Sequence, residues 1–324
     1  MEEQPLKEHL QAGYTLKEEE LKAEHLYDGY HLLGAYRYTE NRLELLRHRL
    51  SLLQDRQVVY QRMLEYSTTV DLDQILKGEK DLLQVIQHIQ QHEQQQQQLA
   101  RQLQLDSNFL ASWLTTSWVS VDSMATNLLH LSEMAPQKNA DQYWREHETD
   151  LAKLEMTLEE RKAKRWLNFV SLKQAGRERL SPRQQFSVGL ALRIPTPTTN
   201  RVKRSEAQLE WLDEQSKQTL LDQKVSRRLQ RYQEEFEQTR AIWHLLEQQQ
   251  EQQNREELLV YYQQFADVSP LSLLQIQMDH VDHQLQMIDW EEQAYQFYLR
   301  LLDYRGEILR HPELNFATNQ LVLF

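Results

Sequence analysis

The sequence predicts a mainly α protein made of two long antiparallel helical hairpins with coiled-coil packing, plus one β-hairpin. Three observations carry this. First, the chain has only 7 Gly and 7 Pro in 324 residues, and none between Gly78 and Pro136 or between Pro197 and Pro270, so helices of several tens of residues are permitted there. Second, Val225, Leu229, Tyr232, Phe236, Thr239, Trp243 and Leu246 recur at alternating steps of four and three, a heptad seam for side-by-side helices. Third, Gln185–Pro195 (QFSVGLALRIP) breaks that pattern. In it Phe186, Val188, Leu190, Leu192 and Ile194 alternate with small or polar residues, the period of a strand.

Residues 1–105 read as a first helical hairpin with its tip near 66–71. One helix is expected from about Leu16 to Tyr66, with Gly29 and Gly34 weakening its first third. STTVD at Ser67–Asp71 breaks it, and a second helix follows from about Leu72 to Leu105. The far half of that helix is glutamine-rich, yet Val85, Ile86, Ile89, Leu99 and Leu103 keep a helical spacing, so a wide solvated face is expected. Residues 106–140, with Trp113, Trp118 and many Ser and Thr, read as short amphipathic helices and a linker. Residues 141–165 form a further helix.

Residues 166–198 read as a β-hairpin, its strands Trp166–Lys173 and Gln185–Ile194 joined by a polar loop with Gly176 and Pro182. A strand of about ten residues is long enough to span a bilayer when tilted, and a soluble hairpin packed on helices fits the pattern equally. Residues 199–310 read as a second helical hairpin with its tip near 266–270 (ADVSP). Its first helix, about Thr199 to Phe265, would be roughly 100 Å long at roughly 1.5 Å per residue. The tail, 311–324, has weak strand character in Gln320–Phe324.

The formal net charge of -12 argues against a nucleic-acid partner, because phosphate binding needs concentrated Lys and Arg. There is no cysteine, which excludes disulfides, thiol catalysis and cysteine metal sites. No apolar run reaches the length of a transmembrane helix. The opening MEEQPLKEHL lacks the basic and apolar regions of a signal peptide, so the chain is expected to stay inside the cell or to have lost a leader.

No HExxH, phosphate-cradling glycine loop or GxSxG is present, and catalysis is not expected. The pairs His88/His92 and His280/His283 have chelating helical spacing but no evident third ligand, so neither a metal nor any other cofactor is expected. Trp166, beside Lys164 and Arg165, stands where an interfacial anchor would sit or where an ordinary packing Trp would. Gln94–Gln98 and Gln248–Gln253 could line a water-filled tunnel or be solvated faces.

The two halves correspond. VYQRMLEYSTTVDLDQIL at Val59–Leu76 and VYYQQFADVSPLSLLQIQ at Val260–Gln277 share the order helix, Ser-containing break, Leu-rich restart, about 200 residues apart. This organisation resembles the TolC-like outer-membrane efflux protein family. The residues that carry the resemblance are FSVGLALRIPTP at Phe186–Pro197, followed by the charged helix opening VKRSEAQLEW at Val202–Trp211. The tip segments STTVDL at Ser67–Leu72 and VSPLSL at Val268–Leu273 add to it, although the family's usual tip Gly is replaced by Glu65 or Tyr66 and by Ala266.

The resemblance implies a partial α-barrel/β-barrel protomer of a passive tunnel for efflux or type I secretion, in the bacterial outer membrane and periplasm. It implies a homo-oligomer, a trimer in the family, working with an inner-membrane transporter and a periplasmic adaptor protein. The adaptor would dock at Ser67, Thr68, Thr69, Val70, Asp71, Val268, Ser269, Pro270 and Leu271. Phe186, Val188, Leu190, Leu192 and Ile194 would face the membrane. Family chains each give four strands to a shared twelve-stranded barrel, whereas two are expected here. A closed barrel must satisfy every backbone edge, so either the sequence begins partway through the ancestral protein or the assembly differs. The competing expectation is a soluble coiled-coil scaffold, or a degenerate relative without channel activity.

Overall fold

The computed structural model describes residues 4–66, 72–103, 118–132, 138–164, 167–174, 186–192, 197–253, 261, 269–319 and 322–323. The elements run α1 (Gln4–Tyr66), α2 (Leu72–Gln102), α3 (Val121–Ser132), α4 (Ala140–Lys164), β1 (Leu167–Gln174), β2 (Phe186–Leu192), α5 (Pro197–Gln253), α6 (Pro270–Tyr304), α7 (Glu307–Arg310), β3 (Leu314–Asn315) and β4 (Val322–Leu323). None of the helices, among the described residues, is long and apolar enough to cross a membrane.

Helix α1 begins at Gln4, a dozen residues before the expected start near Leu16. Pro5 is tolerated because the first turn needs no intrahelical N–H. From Leu6 onward His9, Gly13, Leu16, Glu20, Ala23, Tyr27 and Tyr30 follow steps of three and four and are all buried or half-buried. The seam therefore runs from the first turn, but His9, Gly13 and Glu20 occupy positions where apolar residues would have announced it. On α5 the predicted seam is observed: Val225, Phe236, Thr239 and Trp243 are buried and Leu229, Tyr232 and Leu246 half-buried. On α2, Val85, Ile89 and Leu99 are buried, while Gln94, Gln95, Gln97 and Gln98 are exposed.

Local chemistry sets the helix starts. At α4 the Gln142 N–H donates to Asn139 Oδ1 at 2.9 Å and the Asn139 N–H donates to Gln142 Oε1 at 3.1 Å, a reciprocal capping box. At α3 the Ser123 N–H donates to Ser120 Oγ at 3.2 Å. At α6 Ser269 stands at the cap and Pro270 opens the helix, where its missing N–H costs nothing.

The contacts define two compact units, Met1–Leu21 with Lys138–Arg227, and Lys22–Gln137 with Arg228–Phe324. The first holds the start of α1, α4, β1, β2 and the start of α5. In the second, one core gathers Tyr30, Tyr38, Met124, Phe236, Tyr295, Tyr298, Leu302, Ile308 and Phe316. A second cluster, with Leu43, Leu46, Leu53, Val85, Ile89, Met278 and Val281, joins α1, α2 and α6.

Each buried tyrosine hydroxyl of the larger core has a partner, as burial in an apolar site requires. Tyr30 donates to the Leu314 carbonyl at 2.9 Å and accepts from the Phe316 N–H at 3.3 Å. Tyr38 accepts from Trp118 Nε1 at 3.2 Å, and Tyr298 from Asn127 Nδ2 at 3.3 Å. The two bonds of Tyr30 tie the tail to the core. The weak strand character expected at Gln320–Phe324 appears as β4, whose Leu323 and Val322 pair antiparallel with Leu314 and Asn315 of β3, and Thr318 makes a bridge to Trp118.

Candidate functional site

The first candidate element is the β-hairpin. β1 and β2 pair antiparallel with Gln174 opposite Phe186, Leu172 opposite Val188 and Val170 opposite Leu190, and an irregularity falls between Leu167 and Phe169. The register thus sets apolar positions opposite each other at Leu172 and Val188 and at Val170 and Leu190, with Lys173 opposite Ser187, Ser171 opposite Gly189 and Phe169 opposite Ala191 between them. Leu192 ends the ladder opposite Leu167. Trp166, Gln185 and Ile194 lie outside the described residues.

The second is the pair of tips. Ser67, Thr68, Thr69, Val70, Asp71 and Val268 lie outside the described residues. Of the rest, Ser269 and Pro270 are exposed at the start of α6 and Leu271 is half-buried.

The third element was not anticipated from sequence. Along α1, Arg42, Arg49 and Arg56 stand one heptad apart. Arg42 Nη2 reaches Asp289 Oδ1 at 2.7 Å and Glu292 Oε2 at 2.5 Å, and Arg49 Nη1 reaches Asp282 Oδ1 at 2.7 Å. Asp289 and Asp282 are themselves one heptad apart on the antiparallel helix α6, so the two rungs share one register. A third rung would pair Arg56 with Gln275. That residue carries no charge, and Arg56 turns instead to Asp81 of α2 at 3.1 Å.

The break opens a polar cleft of about 400 Å³ lined by Arg49, Arg56, Tyr60, Lys77, Asp81 and Asp282, among others. Burial pushes the Asp282 carboxyl above its ordinary range while Arg49 pulls it down. Burial, and then Arg42, holds the His92 imidazole low. The heptad recurrence of arginines on α1 and aspartates on α6 was the available signal; it is hidden because both series lie among other charges.

Of the sequence's histidine candidates, His283 is half of a helix-to-helix hydrogen bond, its Nε2 2.9 Å from the Leu246 carbonyl. Among the described residues no group of three or more His, Asp or Glu is arranged to hold a metal ion. Trp144 lies beneath Lys17 Nζ, 5.8 Å from its ring centroid.

Two helical hairpins with a β-hairpin between them define the TolC-like fold of outer-membrane channels, and the chain has that fold over about nine-tenths of its length. Three solved structures illustrate it. A membrane protein from Pseudomonas aeruginosa is 15% identical, with a TM-score of 0.65, covering 92% of this chain and 70% of that one. The outer-membrane channel OprN is 11% identical, with a TM-score of 0.65, covering 92% and 69%. The outer membrane protein VceC from Vibrio cholerae is 13% identical, with a TM-score of 0.60, covering 91% and 72%. At these identities the likeness is one of fold. No protein-family model and no curated relative matches the sequence.

Proposed function

We propose that the chain is a subunit of a passive outer-membrane and periplasmic tunnel for efflux or type I secretion. The observation that carries this is the order of elements, two long helical hairpins flanking one β-hairpin, in the fold of outer-membrane channels. In this reading β1 and β2 give strands to a barrel completed by other strands, since a two-stranded sheet in lipid leaves unpaired edges. Val188 and Leu190 would then face lipid with their partners Leu172 and Val170. Phe186, Leu192 and Ile194 would extend that face.

Assembly with further copies, a trimer by analogy of fold, is supported by exposed apolar residues on the long helices. Tyr14 on α1 is 80% exposed, and Leu209 and Leu220 on α5 are 66% and 53% exposed. Large side chains on a helix already packed along another face suit a second helix neighbour. An inner-membrane transporter would supply the energy, and a periplasmic adaptor protein would dock at the tips, Ser67–Asp71 and Val268–Leu271.

Membrane fractionation followed by reconstitution in planar bilayers tests this reading. The expected result is recovery from the outer-membrane fraction as an oligomer that conducts ions. A protein found wholly in the soluble fraction, monomeric and without conductance, would overturn it in favour of a coiled-coil scaffold.

A further inference from the structure

We propose that His9 and His147 form a proton-operated latch that holds the start of α1 on α4 and releases it on acidification. The latch lies within the first compact unit and stands whether or not the tunnel reading does.

The two imidazole rings stack with centroids 4.0 Å apart and planes within 11°. His9 Nε2 lies 3.0 Å from the His147 backbone carbonyl oxygen. A carbonyl only accepts, so Nε2 of His9 carries the proton and donates it. One turn along α1 stands Gly13, where an added methyl group would overlap Nε2 of His147. The His147 ring is therefore pressed against bare α1 backbone, and the residue is only 8% exposed. A side chain at position 13 would force the His147 ring to shift and so disturb the stack.

The charges around the pair decide what protons do to it. On α1 the sequence places Glu8 beside His9, and Lys17 sits over the Trp144 ring, which in turn lies 5.7 Å from His147. On α4 the carboxylates of Asp150 and Glu148 favour a charged His147, but burial and then His9 outweigh them and hold the imidazole below the usual histidine range. The carboxylates by which α5 reaches this stretch of α4 are engaged: Glu214 by Arg145 and Lys217, and Asp222 by Gln142.

The folded chain thus binds a proton on His147 less readily than the unfolded chain does. The stability this neutral ring allows is fully present above the ordinary histidine value near 6.5 and is lost as pH falls from there through the lowered folded-state value. Two imidazolium rings cannot keep a 4.0 Å stack in a site with so little water, and separation of α1 from α4 relieves them.

Hydrogen–deuterium exchange of the full chain at pH 7.5 and 5.5, corrected for intrinsic exchange, tests the latch. Peptides from residues 4–21 should lose protection several-fold at pH 5.5. Peptides from 272–304 should not show this loss. The neutral variants His9→Gln and His147→Gln should abolish the pH response, and His9→Lys should show the low protection already at pH 7.5. Protection of residues 4–21 that does not vary with pH in the unsubstituted chain would overturn the proposal. So would a response that survives in both glutamine variants.

Discussion

Tyr295 of α6 lays its ring against Gly34 of α1 and donates its hydroxyl proton to the Tyr30 carbonyl one turn earlier, at 3.1 Å. Tyr30 and Tyr295 both lie in the larger core, and Tyr295 is 2% exposed. A methyl group at Gly34 would overlap the ring. Alanine is the better helix former by about 1 kcal/mol, so propensity alone makes Gly34→Ala stabilising. Overpacking of a rigid aromatic costs about 1–3 kcal/mol and should win. Chemical denaturation should show a net loss in Gly34→Ala, and the same substitution in a Tyr295→Ala background should become neutral or favourable. A loss of equal size in both backgrounds would show that the ring is not the cause.

Gly34 also shows where the sequence was opaque. Read alone, it weakens a helix; in the fold it is the gap that Tyr295 fills, and nothing within 261 positions of it in the chain announces the partner. The α5 seam was legible because its residues, apolar except for Thr239, keep the heptad spacing over three repeats. The first turns of α1 were not, because polar or small residues, His9, Gly13 and Glu20, fill their seam, the first two against His147. The alternation of β2 was legible as well, and the hairpin implied an antiparallel pairing with β1 but not its register. The tail was the least legible part. Its placement depends on Tyr30, Trp118 and Asn319, residues far apart in sequence whose hydrogen bonds only the folded chain brings together, such as that from the Ser120 N–H to Asn319 Oδ1 at 2.8 Å.

The upper rung of the arginine ladder separates a buried charge pair from an exposed one. Arg42 has a side chain only 17% exposed and meets Asp289, which is 63% exposed, and Glu292, which is 21% exposed. Asp289→Asn should cost about 0–1 kcal/mol, the usual worth of a solvent-facing ion pair. Arg42→Gln strands Glu292 in a half-buried site and should cost about 1–3 kcal/mol. The order of the two losses, read from urea midpoints, is the check; equal losses would mean that Glu292 finds water or another partner.

Glu307 supplies a pH dependence of opposite sign to the histidine latch. It is buried, and its Oε2 has no hydrogen-bond partner. Burial raises its carboxyl above the ordinary 4.5, against the pull of His311, Arg310 and Arg305. The folded state therefore binds this proton more tightly than the unfolded chain, and its contribution is fully present below the unfolded value and is lost as pH rises through the raised folded-state value. Glu307→Gln should raise the melting temperature at pH 7.5, by a free energy of order 1 kcal/mol, and should change little at pH 4. A destabilised variant at pH 7.5 would point to a partner for the charged form.

Two kinds of apolar residue on α5 should behave differently if the long helices assemble side by side. Phe236 is 1% exposed on the inner seam, and Phe236→Ala should destabilise the single chain by about 3–5 kcal/mol through lost burial and a cavity. Leu209 and Leu220 lie exposed, so Leu209→Glu and Leu220→Glu should leave the helical circular-dichroism signal and the thermal unfolding of an isolated chain nearly unchanged. Their cost should fall on association, because a carboxylate in an apolar contact must be desolvated without a partner. Analytical ultracentrifugation of the purified protein should show the oligomer shifted toward monomer in these two variants. An unaltered assembly would mean that this face of α5 stays in water, and the exposed leucines would then offer no support for side-by-side assembly of copies.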